Sequence, residues 1–241
     1  MTPIIRPLAG QDDFAACAAL EQEIWGLDEL NAVSPITLHA LGLRRPRLGL
    51  TLGAFDQGRM VGLCVMLGSL EPGVAYGHML GVLPGWRDQG LGRRLIERAQ
   101  ADLRAMGVGV VYITFEPLEA RNAHLYLNVW GGRAVAYDRD HFPQTAKMHQ
   151  GLPVDRFIAR FDLNAPPPVA PPLADAAPPL VEIPADLQAL KAGDPAAALA
   201  WRMNTRPVFE RYLNDGGLAA VGLRVEAGDG RRRCFIVLER A

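Results

Sequence analysis

Two glycines, Gly90 and Gly92, stand two residues apart in the stretch GWRDQGLGRRLIERA, directly before an amphipathic helical pattern. Glycine is a poor helix former, so its place at a helix start needs a local reason. Glycines let backbone N–H groups converge without side-chain obstruction, and a helix N-terminus carries about half a positive charge. With Arg87 beside them, these residues predict a loop that binds phosphate through backbone amides. An ordinary tight turn is the alternative.

The glycine spacing distinguishes this loop from two common nucleotide-binding motifs. An NTP-binding loop needs a lysine followed by serine or threonine after its last glycine, and this loop has neither. The dinucleotide fingerprint uses three glycines at another spacing and an acid on a second strand downstream, and no suitably placed acid follows here. The pattern therefore predicts a phosphate loop of another kind.

Strand and helix patterns alternate around the loop and position it. The residues before it form a glycine-rich strand pattern, and those after it form a helix pattern that Gly107 closes. A nearly continuous apolar segment then predicts a strand buried on both faces. The four patterns are strand 73–84, helix 91–106, strand 108–117 and helix 118–130. The loop therefore lies between a strand end and a helix start.

The stretch GVLPGWRDQGLGRRLIERA resembles the acyl-CoA-binding motif of the GNAT superfamily of N-acyltransferases, Q/R-x-x-G-x-G/A. The resemblance covers roughly residues 3–163 and agrees with the strand–helix–strand–helix order. It implies an α+β fold with a mixed, mostly antiparallel central sheet flanked by helices. It also implies that the pyrophosphate of coenzyme A binds to the loop residues Arg87, Asp88, Gln89, Gly90, Leu91 and Gly92.

The same resemblance implies further cofactor contacts outside the loop. In that family the preceding strand carries a bulge, splays from its neighbour and pairs with the pantetheine arm, which here points to Leu80, Gly81, Val82 and Leu83. A backbone N–H of Val82 or a neighbour would then stabilise the oxyanion. Asn122 matches an asparagine that often contacts the cofactor, and a polar residue at a helix start is its alternative.

The reaction implied by the resemblance is direct attack of an amine on an acyl thioester, which needs a base, an oxyanion donor and an acid. His78 is the first candidate for the base because it lies two residues before Leu80, on the same strand face, and ionises near neutral pH. Glu116 is the second candidate, since ligands gather at strand ends. A packed core histidine and a cap for the following helix are the respective alternatives.

Tyr126 is the candidate acid, but its position departs from the family pattern. It lies five residues before Gly131, where the family spacing is four, and no phenylalanine follows that glycine. One helical position corresponds to a rotation of about 100°, which would aim the hydroxyl elsewhere. Tyr137, His141 and water are its competitors, and a packed aromatic side chain is the alternative for Tyr126.

The composition changes after Asn164, where the segment APPPVAPPLADAAPPL predicts a stiff linker. We therefore predict a GNAT domain over 1–163, a Pro/Ala-rich linker over 164–180 and a small C-terminal αβ unit over 181–241. That last unit is small for an independent domain, so we expect it to dock on the first part or on a second chain.

Two arginines of the C-terminal segment, Arg202 and Arg206, lie four residues apart and share a helix face. Such a pair suits a clamp for the carboxylate of a substrate. A solvated basic face is the alternative.

Composition excludes several other classes of protein. The chain has 25 lysines and arginines against 26 acids, a net charge of −1, which argues against a nucleic-acid binder. Its three cysteines have neither metal nor redox spacing and fit a reduced compartment. The sequence starts without the apolar stretch of a signal peptide, and no apolar run is long enough for a bilayer. We expect a cytoplasmic protein without a membrane or metal.

A narrower resemblance concerns TFEPLEARNAHLYLNVWGG and GLPVDRF, which are similar to an uncharacterised bacterial GNAT branch with a C-terminal extension. That branch is associated with N-succinylamino acid racemases, which implies acetyl-CoA or succinyl-CoA as donor and an amino acid as acceptor. A homodimer is an arrangement that the family resemblance allows. The alternatives are a non-catalytic coenzyme A module, acting as sensor or scaffold, and a nucleotide-phosphate binder that ATP would protect.

Overall fold

The computed structural model describes residues 2–142, 151–165, 178–228 and 230–241. The described chain forms two compact units, which meet in sequence between Tyr112 and Ile113. This boundary falls inside the predicted first domain, and the domain limits predicted from the sequence remain predictions. Most of the predicted linker, residues 166–177, lies outside the described residues.

Unit 1 is an antiparallel sheet with helices on its two faces. Its strands lie in the order β1-β2-β3-β4. Its elements are β1 (Ile4–Pro7), α1 (Gly10–Trp25), α2 (Pro35–Leu41), β2 (Gly49–Asp56), β3 (Arg59–Gly68), β4 (Val74–Val82) and α3 (Leu91–Ala105). The next strand, β5 (Val110–Phe115), contains the boundary between the units.

Local sequence explains why several of these elements begin and end where they do. Ser34 caps α2, since its Oγ accepts from the Thr37 N–H at 3.2 Å, and Pro35 takes the first helical position. Gln57 and Gly58 both adopt positive φ between β2 and β3, as a tight hairpin requires. Residue types within a few positions therefore specify the start of α2 and the turn between β2 and β3.

Both faces of the unit 1 sheet are covered so closely that side chains are excluded at two glycines. A Cβ on Gly62 would lie 3.1 Å from Leu95 of α3, and a Cβ on Gly81 would lie 2.8 Å from Ile24 of α1. The sheet is therefore sandwiched between α1 and α3. The free thiols of Cys17 and Cys64 are buried in this core, and burial raises the pKa of each to about 12.

Unit 2 combines the strands after β5 with the C-terminal segment. Its strands pair in the order β7-β6-β9-β10-β8, and β9 meets β6 at the pair Ala220 and Ala134. Its elements are α4 (Ala120–Ala123), β6 (Arg133–Asp138), β7 (Arg156–Asp162), β8 (Leu180–Ile183), α5 (Leu187–Gly193), α6 (Pro195–Phe209), β9 (Leu218–Gly228) and β10 (Arg231–Arg240). The strands from the two sides of residues 166–177 thus form one sheet within unit 2.

Two features of unit 2 differ from the sequence patterns. The segments His124–Val129 and Glu210–Asp215 are π-helical, so each inserts a wider turn at the end of a predicted α-helix. Helix α5 was not predicted, although Asp186 caps it by accepting from the Ala189 N–H at 2.9 Å.

Helices flank antiparallel strands in both units, which confirms the predicted α+β class. Within the described ranges, no helix is long and apolar enough to cross a membrane.

Candidate functional site

The loop between β4 and α3 is built from two residues with left-handed backbone conformation. A short 3₁₀ turn, Pro84–Trp86, follows β4, and then Asp88 and Gly90 adopt φ values of 61° and 75°. Gly90 is the N-cap of α3 and provides no capping side chain. The loop therefore turns the chain sharply and leaves the start of the helix uncapped.

The first amides of α3 face outward without an intrahelical acceptor. The first backbone bond within the helix runs from the Arg94 N–H to the Gly90 carbonyl at 3.0 Å. The amides of Leu91, Gly92 and Arg93 precede it, and no acid lies in the first turn. Because a helix start carries positive partial charge, these amides form a site suited to an anion.

Packing within the chain does not explain why residue 92 is a glycine. It lies inside α3 without positive φ, and a Cβ there would meet only a Val82 methyl, at the ordinary contact distance of 3.9 Å. Alanine would fit and would favour the helix by up to about 1 kcal/mol. Gly90, in contrast, needs to be glycine for its φ of 75°. The open space above Gly92 is what a ligand approaching the helix start requires.

Polar side chains brace the loop from both sides. The Arg87 Nε donates to the Val82 carbonyl at 3.1 Å, and the Gln89 Nε2 donates to the Gly85 carbonyl at 2.9 Å. Among the described residues the two terminal nitrogens of Arg87 have no partner, and its side chain is exposed. Arg87 is therefore placed to offer charge beside the amides.

The bulge of β4 lies at His78, which corrects the position predicted from the sequence. Val65 pairs with Met79 while its neighbour Met66 pairs with Gly77, so His78 is the extra residue. The predicted bulge residues, Leu80 to Leu83, instead follow it, and Leu80, Gly81 and Val82 pair in regular register with β3. The interrupted alternation also means that the face of His78 no longer follows from its two-residue distance to Leu80.

His78 is exposed at this bulge, and its ring centroid lies 6.3 Å from that of Tyr76. Surrounding protein removes part of its hydration, which lowers the pKa of His78 below its ordinary value of 6.5. The imidazole is therefore neutral near pH 7 and can accept a proton.

Glu116 is tied to other residues of unit 2. Both of its carboxylate oxygens accept from the Arg202 Nη2 at 2.6 Å, Oε1 also accepts from the Leu118 N–H, and Arg156 lies 3.6 Å away. The contact with Leu118 lies before α4, whose N-cap is Glu119 without a side-chain cap bond, so Glu116 does not cap the following helix as the alternative in the sequence had it. An ion-paired carboxylate is a poor proton acceptor, so this geometry does not favour Glu116 as the base.

The π-helical segment changes how the position of Tyr126 should be compared with the family pattern. The Trp130 N–H donates to the Leu125 carbonyl at 3.1 Å, five residues back, where an α-helix would use four. The wider turn takes up the additional residue between Tyr126 and Gly131, so the expected rotation of about 100° does not follow. Tyr126 is partly buried, with the rings of Phe115 and Trp130 at 5.1 and 5.3 Å.

Tyr137 and His141, the alternatives to Tyr126 as the acid, and Asn122, the predicted cofactor contact, differ in their surroundings. The buried Tyr137 hydroxyl donates to Asp155, and burial together with that carboxylate raises the pKa of Tyr137 far above its ordinary value, so it is a poor acid. The His141 Nδ1 lies 2.7 Å from Asp138. The partly buried Asn122, in α4, makes no side-chain hydrogen bond to the residues described.

Arg202 and Arg206 bind carboxylates of unit 2 itself. They are therefore neither the clamp for a substrate carboxylate nor the solvated basic face that the sequence suggested. Arg202 is fully buried against Glu116, with Asp155 at 3.6 Å. Arg206 donates to Asp155 at 2.6 and 2.7 Å and to Asp140 at 2.8 Å. The shared helix face was predicted correctly, but its counter-charges come from residues 47 or more positions away in sequence, which spacing within a helix cannot reveal. A buried ion pair of this kind needs such internal partners.

Part of this sequence is similar to a known protein family. Residues 14–131 match the model of the acetyltransferase (GNAT) family. No curated protein sequence matches the chain significantly. In the described part of the chain, no group of three or more His, Cys, Asp or Glu side chains could hold a metal ion.

Several solved structures share the fold. The ribosomal-protein-S18-alanine N-acetyltransferase of Escherichia coli is 21% identical with a TM-score of 0.54, and the alignment covers 68% of this chain and 96% of that one. A putative GNAT acetyltransferase of Desulfovibrio desulfuricans is 16% identical with a TM-score of 0.56, covering 67% and 99%. YncA, a putative acetyltransferase of Salmonella typhimurium solved with its cofactor acetyl-CoA, is 20% identical with a TM-score of 0.54, covering 71% and 99%.

Proposed function

We propose that this chain, whose residues 14–131 belong to the acetyltransferase (GNAT) family, transfers an acetyl or succinyl group from coenzyme A to the amine of a small molecule. The family supports acyl transfer to an amine in general. An amino acid as acceptor, succinyl-CoA as donor and the residues named below are the proposal's own.

One observation carries the proposal. Gly92 stands in a helix start where neither backbone conformation nor packing asks for glycine, and three amides there lack intrahelical acceptors. A pyrophosphate group would use these amides and would need the open space above Gly92. YncA, whose fold is similar, was solved with acetyl-CoA, which agrees with this class of ligand.

In the proposed reaction the acceptor amine attacks the thioester carbonyl and the thiolate of coenzyme A leaves. His78, neutral near pH 7, takes the proton that the attacking amine loses. Backbone N–H groups of the bulged β4 stabilise the oxyanion, and the Tyr126 hydroxyl gives its proton to the leaving thiolate. We do not retain Glu116 as the base, because its carboxylate is paired with Arg202.

Calorimetric titration of the full chain with acetyl-CoA, succinyl-CoA and ATP tests donor binding. We expect saturable heat with an acyl-CoA at micromolar affinity and none with ATP. Absence of heat with both thioesters, at protein concentrations that reveal micromolar affinity, contradicts the proposal. Saturable heat with ATP alone would support the nucleotide-phosphate binder instead.

Turnover measurements distinguish an enzyme from a non-catalytic coenzyme A module. The packing of Tyr126 between aromatic rings is the observation that favours the module. With thiol release as the readout, His78→Gln and Tyr126→Phe should each lower kcat by about 10²-fold or more without raising KM for acyl-CoA. Tyr212→Phe is the matched control and should leave kcat unchanged. Wild-type kcat/KM should fall as pH drops through a pKa below 6.5, because protonation removes the base. Absence of thiol release by the wild-type chain that binds acyl-CoA would favour the module, and unchanged turnover in both site variants would contradict the roles proposed for His78 and Tyr126.

A further inference from the structure

A cavity of about 800 Å³, open to solvent, lies in unit 1. It is lined by the end of β1, the start of α1, the end of α2 with the loop that follows, and the start of β2. None of residues 83–92 lines it. Gly62, near the start of β3, pairs with Val82, whereas Leu67, near the end of β3, pairs with Gly49 of the cavity wall. Five strand residues, or about 17 Å, thus separate the loop end from the cavity end.

Two arginines of the cavity wall have no counter-charge. Arg44 and Arg47 are exposed, and neither forms a hydrogen bond or ion pair within the described ranges of the chain. Asp13 is the acid among the described lining residues, and it is already paired with Arg6 through two hydrogen bonds. Arg6 is further held with its guanidinium carbon 3.9 Å from the Phe55 ring centroid. The cavity therefore keeps two uncompensated positive charges.

Much of the remaining lining of the cavity is apolar. Leu8, Phe14 and Leu50 line it, and the His39 ring meets Phe14 edge-on at 5.2 Å between centroids. Thr51 also lines it and supplies a hydroxyl. The lining therefore suits a ligand that combines an apolar body with an anionic group.

We propose that this cavity is a separate ligand site for a small organic anion, a carboxylate or phosphate on an apolar body. Arg44 and Arg47 pair with the anionic group, which arginine recognises through two parallel hydrogen bonds. Thr51 offers one polar contact, and Phe14 and Leu50 contact the apolar body. The site binds without displacing acyl-CoA, because the two sets of residues do not overlap.

Calorimetric and ligand-detected NMR titrations of the full chain test this site with 4-phenylbutyrate, octanoate and phenyl phosphate as probes. We expect saturable binding of at least one, with the neutral analogue 4-phenylbutanol at least about tenfold weaker. A carboxylate source and a phosphate source are distinguished by which probe binds more tightly. Inorganic phosphate should bind more weakly than phenyl phosphate, because it lacks the apolar body.

Variants of the same loop locate the site. Arg44→Gln and Arg47→Gln should each weaken binding by about tenfold, since each removes a charge-assisted hydrogen bond. Arg45→Gln is the matched control, because Arg45 is exposed in the same loop but does not line the cavity. No binding of any probe, equal losses in the Arg45 control, or displacement by acetyl-CoA would each overturn the proposal. These results are independent of whether the chain has transferase activity.

Discussion

The two glycines of the β4–α3 loop have different reasons to be glycine. Gly90 must adopt φ of 75°, which other residues reach only with strain. Gly92 has no such requirement and no close neighbour. The first is therefore explained by folding, and the second remains for an external ligand to explain.

At Gly92 we predict opposite effects on stability and binding. Gly92→Leu should raise the free energy of unfolding by about 0.5–1 kcal/mol, because leucine favours the helix over glycine. It should weaken acyl-CoA binding by tenfold or more, because the new side chain lies where the pyrophosphate would approach, whereas alanine is a residue that the motif allows at this position. Urea unfolding and calorimetry measure the two effects.

The matched control for Gly92 is Gly193→Leu in α5, a helical glycine with open space around it and no positive φ. It should stabilise the chain to a similar degree and leave acyl-CoA affinity unchanged. Unaltered affinity in Gly92→Leu as well would mean that this position does not face a ligand.

At the scale of elements, helix α6 is attached to unit 2 through buried charge. Arg202, with no exposed surface, pairs with Glu116, which lies 86 residues earlier. A second long-range contact comes from Asn128 in the first π-helical segment, whose amide exchanges two hydrogen bonds with the backbone of Leu223 in β9. The C-terminal segment thus stabilises the elements that hold Glu116 and Tyr126.

A double-mutant cycle of Arg202→Met and Glu116→Gln should show strong coupling. Breaking a buried pair from one side costs about 3–5 kcal/mol, because a buried charge is left without its partner. The double variant should be less destabilised than the sum of the two singles, by about 1–3 kcal/mol in urea unfolding.

The surface pair Arg233 and Glu182 is the control for this cycle, at 2.7 Å but with 55% and 35% of the respective side chains exposed. Its coupling energy should stay below about 1 kcal/mol. Additive effects for the Arg202 and Glu116 variants would mean that their short contact contributes little to folding.

At the scale of the whole molecule, unit 2 is assembled from residues on both sides of 166–177, and Asp155 lies where they meet. Burial by itself would raise the pKa of Asp155, but hydrogen bonds from Arg206, Tyr137 and the Asp140 N–H outweigh it and hold that pKa below 3.8. A carboxylate with a depressed pKa stabilises the folded state above its unfolded pKa, and this contribution is lost as pH falls through the folded pKa.

We therefore predict that Asp155→Asn is strongly destabilising at pH 7 and progressively less so in acid. The difference in unfolding free energy between wild type and variant should shrink as pH falls below about 4, because the unfolded wild-type chain then binds a proton at Asp155 that the folded chain, with its lowered pKa, does not yet bind. Urea unfolding from pH 7 to pH 3 measures it. Asp162→Asn, the same substitution at an exposed position of β7, is the control and should change the free energy of unfolding at pH 7 much less. A constant difference across this range would contradict the assignment of a depressed pKa.

Features that depend on neighbouring residues were predictable. The β4–α3 loop, the Ser34 cap, the β2–β3 hairpin and the helix that contains Arg202 all follow from turn chemistry, capping and hydrophobic period, which act within a few residues. The α+β class, and the match of residues 14–131 to the GNAT family, were anticipated from the same stretch of sequence around Gly90.

Features that depend on pairing across the chain were not predictable. The bulge at His78 depends on its register against β3, and the partners of Arg202 and Arg206 are brought together by unit 2 from distant segments. The same is true of the cavity beside Arg44 and Arg47, whose walls come from four separate elements. The sequence by itself therefore determined the phosphate-type loop and the elements around it, because short-range sterics and hydrogen bonds specify them. Only the tertiary structure decided which charges are paired and which remain available, because that depends on which distant residues share a low-dielectric interior.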